Sequence, residues 1–107
     1  MELLTRTEEL LLLSVWRLQE EAYGLAIRRQ LAALLEKKVS VGAVYIPLER
    51  LAKKGYLRTW ESAPTEKRGG RRKKFYKLTA KGMQALNAVK RLHEQAWHGL
   101  PNLTPGI

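Results

Sequence analysis

Side chains that could neutralise phosphate groups are concentrated in one stretch of this 107-residue chain. From Arg50 to Lys77 there are eleven Lys and Arg residues, and the only acidic residues are Glu61 and Glu66. The stretch therefore carries +9 of the formal net charge of +10. A positive charge confined in this way predicts a surface that binds a polyanion such as a nucleic acid.

Other chemistries find little support in the residue types. The chain has no cysteine, which excludes disulfides and thiolate metal sites. Its histidines, His93 and His98, lack enough neighbouring ligands to predict a zinc site. The serines at 14, 40 and 62 have no histidine near them in sequence, so no catalytic group can be assembled. We therefore expect no enzyme activity, no metal and no cofactor.

The apolar run near the N-terminus does not predict a membrane segment. Leu10 to Leu13, with Val15 and Trp16, is bracketed by charged residues and is far too short to cross a bilayer. The acidic residues before it are also unlike a signal peptide. We expect a cytoplasmic protein that has no membrane partner.

Capping signals and apolar periodicity predict four helices. Thr5 and Glu8 form a capping box, Ser40 is an N-cap for the third helix, and Thr79 is an N-cap for the last. The helices are expected over residues 6–19, 24–36, 41–54 and 80–97. Gly55 should end the third helix in a left-handed conformation. Pro47 lies inside that helix, and because the apolar positions stay in phase across it, we expect one kinked helix rather than a fresh start.

Two short strands should follow the third helix. Residues 56–60 and 75–78 have strand composition, and Gly69-Gly70 can form the turn between them. The fold class is therefore mainly α with a small β-hairpin, arranged as a winged helix-turn-helix with a C-terminal dimerisation helix. We expect a DNA-binding domain over 1–79, a dimerisation helix over 80–98 and a flexible tail over 99–107.

The spacing of several motifs resembles the PadR family of transcriptional regulators across roughly residues 3 to 90. The motifs are Thr5-x-x-Glu8, Tyr23-Gly24, Val39-Ser40-x-Gly42-x-x-Tyr45-x-x-Leu48-x-x-Leu51-x-x-x-Gly55 and Gly70-Arg71-Arg72-x-x-x-Tyr76-x-Leu78-Thr79-x-x-Gly82. One departure is Ile46, which stands between the motif tyrosine and the proline. The resemblance implies a homodimeric repressor that binds double-stranded DNA through its third helix and a basic wing, and dimerises through its last helix.

The candidate DNA-binding residues fall into two groups. Those of the recognition helix are Ser40, Gly42, Ala43, Tyr45, Ile46, Arg50 and Lys53. Those of the wing are Lys67, Arg68, Gly69, Gly70, Arg71, Arg72, Lys73 and Lys74. Arg28 and Arg29 of the second helix should face solvent or phosphate. Two alternatives stay open: Tyr45 could be a packing residue, and the wing cations could be a solvated loop.

The last helix has a wide apolar stripe that predicts a partner chain. The expected dimer residues are Leu11, Met83, Leu86, Val89, Leu92, Ala96 and Trp97. Trp16, His93 and Trp97 could line a cavity between subunits for a small aromatic effector, or could be ordinary dimer packing. An RNA-binding or protein-interaction module is the alternative function, although Trp60 and Phe75 are the only candidates for base stacking.

Overall fold

The structure is a computed structural model that describes residues 3–62 and 73–106. These ranges contain four α-helices and one antiparallel hairpin, which confirms the predicted fold class. The elements in chain order are α1 (Arg6–Leu18), α2 (Gly24–Leu35), α3 (Val41–Lys53), β1 (Leu57–Glu61), β2 (Lys74–Leu78) and α4 (Ala80–Trp97), with a short 3-10 turn at Gln19–Glu21.

Side-chain caps start three of the helices where the sequence predicted them. In the capping box of α1, the Thr5 amide donates to Glu8 Oε1 at 2.8 Å and the Glu8 amide donates to Thr5 Oγ1 at 3.1 Å. The Ser40 hydroxyl accepts from the Ala43 amide at 3.1 Å, and the Thr79 hydroxyl accepts from the Gly82 amide at 3.0 Å. These bonds satisfy amides that have no partner within the helix.

Helices α2 and α3 form the predicted helix-turn-helix, and both end with a residue in the left-handed conformation. After α3, Gly55 has φ 84°, its amide donates to Ala52 at 3.0 Å and the Tyr56 amide donates to Leu51 at 3.0 Å. This is the left-handed ending that the sequence predicted. After α2, the left-handed position holds Glu36 at φ 53°, where a side chain other than glycine is strained. Helix α3 runs without interruption through Pro47.

One apolar core joins the first three helices to the hairpin. It is built from the inward faces of all these elements, and an apolar residue deep in such a core contributes about 1.5–3 kcal/mol by leaving water. The fully or almost fully buried side chains are Leu11, Leu12, Val15, Ile27, Leu31, Val44, Leu48, Leu51, Leu57 and Tyr76. The recognition helix is therefore held on its inner side by α1, α2 and both strands.

The hairpin is also hydrogen-bonded to the start of the helix-turn-helix. Its register pairs Leu57 with Leu78 and Glu61 with Lys74. On the other edge of β2, the Tyr76 amide donates to the Ala22 carbonyl at 2.8 Å, just before α2 begins. The position of the hairpin is thus tied to the position of α2.

The start of α4 is bonded directly to the end of α3. The Thr79 hydroxyl donates to the Gly55 carbonyl at 2.6 Å, and the Thr79 amide donates to the Tyr56 carbonyl at 3.1 Å. The Lys81 ammonium group donates to the Lys54 carbonyl at 2.7 Å. Over residues 3–62 and 73–106, no helix is both long and apolar enough to cross a membrane.

Candidate nucleic-acid interface

Helix α3 presents a solvent-facing side opposite its buried face. Val44, Leu48 and Leu51 point into the core, and the turns between them place other residues outward. The exposed outward residues are Gly42, Ala43, Ile46, Glu49, Arg50 and Lys53. All the predicted recognition-helix residues except Tyr45 lie at the surface, and Ile46 is 62% exposed.

The turn before α3 is fixed by an arginine of α2. Arg28 Nε donates to the Val39 carbonyl at 2.7 Å, and the side chain is partly buried. One donor of the Arg28 guanidinium group therefore serves the backbone of the turn, and its contact with phosphate stays a prediction. Arg29 is exposed, as expected.

Tyr45 packs against the first residue of α2. A Cβ added to Gly24 would lie 2.5 Å from Tyr45 Cε1 and 2.6 Å from its Cζ, so only glycine leaves room for the ring. Tyr45 is partly buried and packs on the core. This contact supports the packing role for Tyr45, because the ring sets the distance between α2 and α3.

An ion pair that the sequence did not reveal joins α3 to the hairpin. Lys74 Nζ lies 2.5 Å from Glu49 Oε1. The hydrogen bond from Lys74 holds the pKa of Glu49 below its ordinary value. Burial, followed by the nearby Glu49 carboxylate, raises the pKa of Tyr76 to about 12, so this hydroxyl stays protonated at physiological pH. Glu49 shares the outward face with Ile46 and Lys53, and the helical spacing was the available signal for it.

The base of the predicted wing carries two cations with intramolecular contacts. Lys73 Nζ lies 4.0 Å from the centre of the Tyr23 ring, and Lys74 contacts Glu49. The other wing residues, Lys67 to Arg72, lie outside the described residues. The Trp60 and Phe75 rings stack on each other at 5.7 Å with an angle of 13° between planes. Each ring therefore covers part of one face of the other, which leaves less surface for stacked bases.

A cavity of about 470 Å³ lies between α1 and α4. Trp16 and His93 both line this cavity within one subunit, whereas Trp97 does not, and the expected cavity between subunits stays a prediction. Glu9, which sequence reasoning missed, is 8% exposed, and its Oε1 atom lies 3.6 Å from His93 Nε2. The lining thus combines apolar residues with the polar residues Glu9, Asn87, Lys90, His93 and Glu94. Among the described residues, no group of acidic and histidine side chains is placed to hold a metal ion.

Helix α4 exposes three large apolar side chains among its polar ones in one subunit. Met83 is 39% exposed, Leu92 44% and Trp97 50%. Two predicted dimer residues need correction, because Leu11 is 0% exposed and Val89 only 4%. Both side chains are buried by packing within the subunit, so neither has surface available for a partner.

Comparisons with known proteins agree with this architecture. The model of the transcriptional regulator PadR-like family matches residues 12–88. RosR from H. salinarum is similar with a TM-score of 0.66 and 25% identity, over 92% of this chain and 82% of that chain. The complex hsRosR-S4 gives 0.65 and 27%, over 92% and 78%. A PadR family transcription regulator from Clostridium difficile gives 0.64 and 25%, over 87% and 95%.

No curated protein matches the sequence significantly. The family match nevertheless covers most of the chain, including α2, α3 and the hairpin. The fold and the exposed face of α3 agree with this family match. The chain therefore belongs to the PadR-like family of transcriptional regulators, and it is a DNA-binding transcription regulator rather than an enzyme.

Proposed function

We propose that the protein is a homodimeric repressor that binds an inverted-repeat operator in double-stranded DNA. The exposed apolar side chains of α4 carry the proposal, since Met83, Leu92 and Trp97 would otherwise remain in water. Trp16 of α1, which is 49% exposed, extends the same surface. A second copy of the chain has a matching surface, and a two-fold dimer brings the two together. Leu86 and Ala96 complete the proposed interface.

A two-fold dimer would present two copies of α3 to one face of the DNA. If these helices lie about 34 Å apart, the half-sites are one helical turn apart and in opposite orientation. Arg50 is the candidate for hydrogen bonds to a guanine, because arginine pairs well with its major-groove edge. Residues 67–74 of the wing would lie along the phosphates and make binding depend on salt. Repression would follow from occlusion of a promoter in the cytoplasm.

The cavity between α1 and α4 is the proposed site for a small aromatic effector. Trp16 offers a flat apolar surface, and Glu9 with His93 offers polar groups. Because the cavity adjoins the exposed face of α4, a ligand there would touch the elements that form the dimer. The proposal also divides the chain at residue 79, with the DNA-binding domain before it and the dimerisation helix over residues 80–98.

Two measurements test the proposed function: the oligomeric state by sedimentation, and the selection of bound duplexes from a random pool. Leu92→Asp should turn the dimer into monomers in sedimentation experiments, because a carboxylate would be buried in the interface. Leu103→Asp is the matched control, since Leu103 is 81% exposed and lies beyond α4. Duplexes selected by the unaltered protein should contain an inverted repeat. A persistent Leu92→Asp dimer, or selected sites without two-fold symmetry, would contradict the proposal.

A further inference from the structure

The first two turns of α3 contain almost no hydrogen-bonding side chains. Residues 41–47 read Val-Gly-Ala-Val-Tyr-Ile-Pro, so Tyr45 is the only polar residue among them. Its ring lies against Gly24 rather than free in solvent. The Ser40 hydroxyl at the helix start accepts from the Ala43 amide. The charged residues of the outward face, which include Arg50, all come later in the helix. The leading turns can therefore contact bases chiefly through apolar groups.

These turns nevertheless expose large apolar side chains. Val41 is 53% exposed and Ile46 is 62% exposed. Among the large apolar side chains of the described residues, only Leu103 beyond α4 exposes a greater fraction. An isoleucine at the centre of the outward face gains little from the core, so any packing partner for it would lie outside the subunit.

Gly42 supports the same interpretation. Its φ is not positive, and an added Cβ would meet only Ile46 Cδ1 at 3.8 Å, which is ordinary contact. Neither the backbone conformation nor packing within the subunit therefore requires glycine here. Glycine weakens a helix relative to alanine. The open space over Gly42 suits the close approach of another molecule.

We propose that Ile46, above the open surface of Gly42, contacts the C5-methyl group of a thymine in each half-site. The inference rests on the proposed function and names what the recognition helix reads. In the major groove the thymine methyl is the apolar group that distinguishes one base from the others. Ile46 lines a shallow surface cleft together with Tyr45, Glu49, Arg50 and Lys53. The two cations of this cleft complement DNA, whereas a purely apolar protein partner would leave them unpaired.

The test compares two selections with the full chain. One uses random duplexes that contain thymine, and the other uses random duplexes in which deoxyuridine replaces thymidine. Deoxyuridine keeps every hydrogen-bonding group and lacks only the methyl. We expect a thymine to be enriched at one position of each half-site, and uracil not to be enriched there, while the other preferred positions persist in both pools. In the recovered duplex, deoxyuridine at that position should weaken binding about fourfold per half-site.

The Ile46→Ala variant should bind the thymine and deoxyuridine duplexes equally, and it should fold normally because the side chain is exposed. Leu103→Ala, which truncates another exposed aliphatic side chain far from α3 in sequence, should keep the fourfold difference. Equal preference for thymine and uracil in the unaltered protein, or a methyl effect that survives Ile46→Ala, would overturn the inference alone. If neither pool yields an enriched duplex, the proposed function fails and the inference fails with it.

Discussion

The contact between Gly24 and Tyr45 gives a quantitative test of how α2 holds the recognition helix. In Gly24→Ala, the new methyl group would lie 2.5 Å from Tyr45 Cε1 and 2.6 Å from Cζ, closer than carbon atoms approach in proteins. The ring must move, and its partly buried position against the core limits where it can go. The change should therefore disturb the packing between α2 and α3.

The size of the effect is a balance of two terms. Alanine in place of glycine favours a helix by up to about 1 kcal/mol, whereas overpacking of this kind costs about 1–3 kcal/mol. Because the clash involves a rigid ring, we expect the second term to dominate and the free energy of unfolding to fall by about 1–2 kcal/mol. At about 4 °C per kcal/mol for a domain of this size, the melting temperature should fall by roughly 4–8 °C.

A double-mutant cycle identifies the cause. Tyr45→Ala removes the ring, so Gly24→Ala should be neutral or stabilising in that background. The assay is urea or thermal unfolding at one fixed protein concentration, because the proposed dimerisation would make the melting temperature depend on concentration. The coupling free energy between the two changes should be about 1–3 kcal/mol.

Gly42→Ala is the matched control on the recognition helix. Its new methyl group would meet only Ile46 at 3.8 Å, so the variant should gain up to about 1 kcal/mol of stability. If Gly24→Ala stabilised the protein, or destabilised it equally with and without Tyr45, the packing argument would be refuted.

Two further predictions concern helix α2 and the ion pair of α3. Glu36→Gly should raise the free energy of unfolding by about 1 kcal/mol, because residue 36 has a left-handed backbone. The control Ala33→Gly, within the same helix, should lower it by about the same amount. Denaturant unfolding that ranks the two variants in the opposite order would contradict this prediction. Lys74→Met should raise the pKa of Glu49, measured by NMR titration, more than Lys53→Met does, because the Lys74 hydrogen bond is the largest cause of the lowered value. The stabilisation from the pair should be present above the ordinary carboxyl pKa and lost as the pH falls through the lowered one; an unshifted Glu49 in both variants would remove Lys74 as the cause.

The features that the sequence predicted well are those decided by neighbouring residues. The caps at Thr5, Ser40 and Thr79 each join a side chain to an amide three residues away, so their spacing is visible in the chain. Gly55 likewise marks a local backbone conformation. The inward and outward faces of α3 follow from helical periodicity alone.

The features that escaped prediction join residues far apart in sequence. Lys74 reaches Glu49 across 25 positions, and Arg28 reaches the Val39 carbonyl across eleven. Each contact depends on how complete elements pack, which composition does not encode. The error at Leu11 has the same origin: α1 is apolar on several sides, and only the assembled core decides which side faces inward.

The three hydrogen bonds from Thr79 and Lys81 to the carbonyls of residues 54–56, just after α3, affect how a signal would pass through the protein. They restrain the angle between α3 and α4. In the proposed dimer, a tilt of one subunit against the other would therefore move α3 together with α4. A ligand bound between the subunits would then change the distance between the two copies of α3 without changing the conformation of either helix. Binding to operators with different spacer lengths would reveal this change.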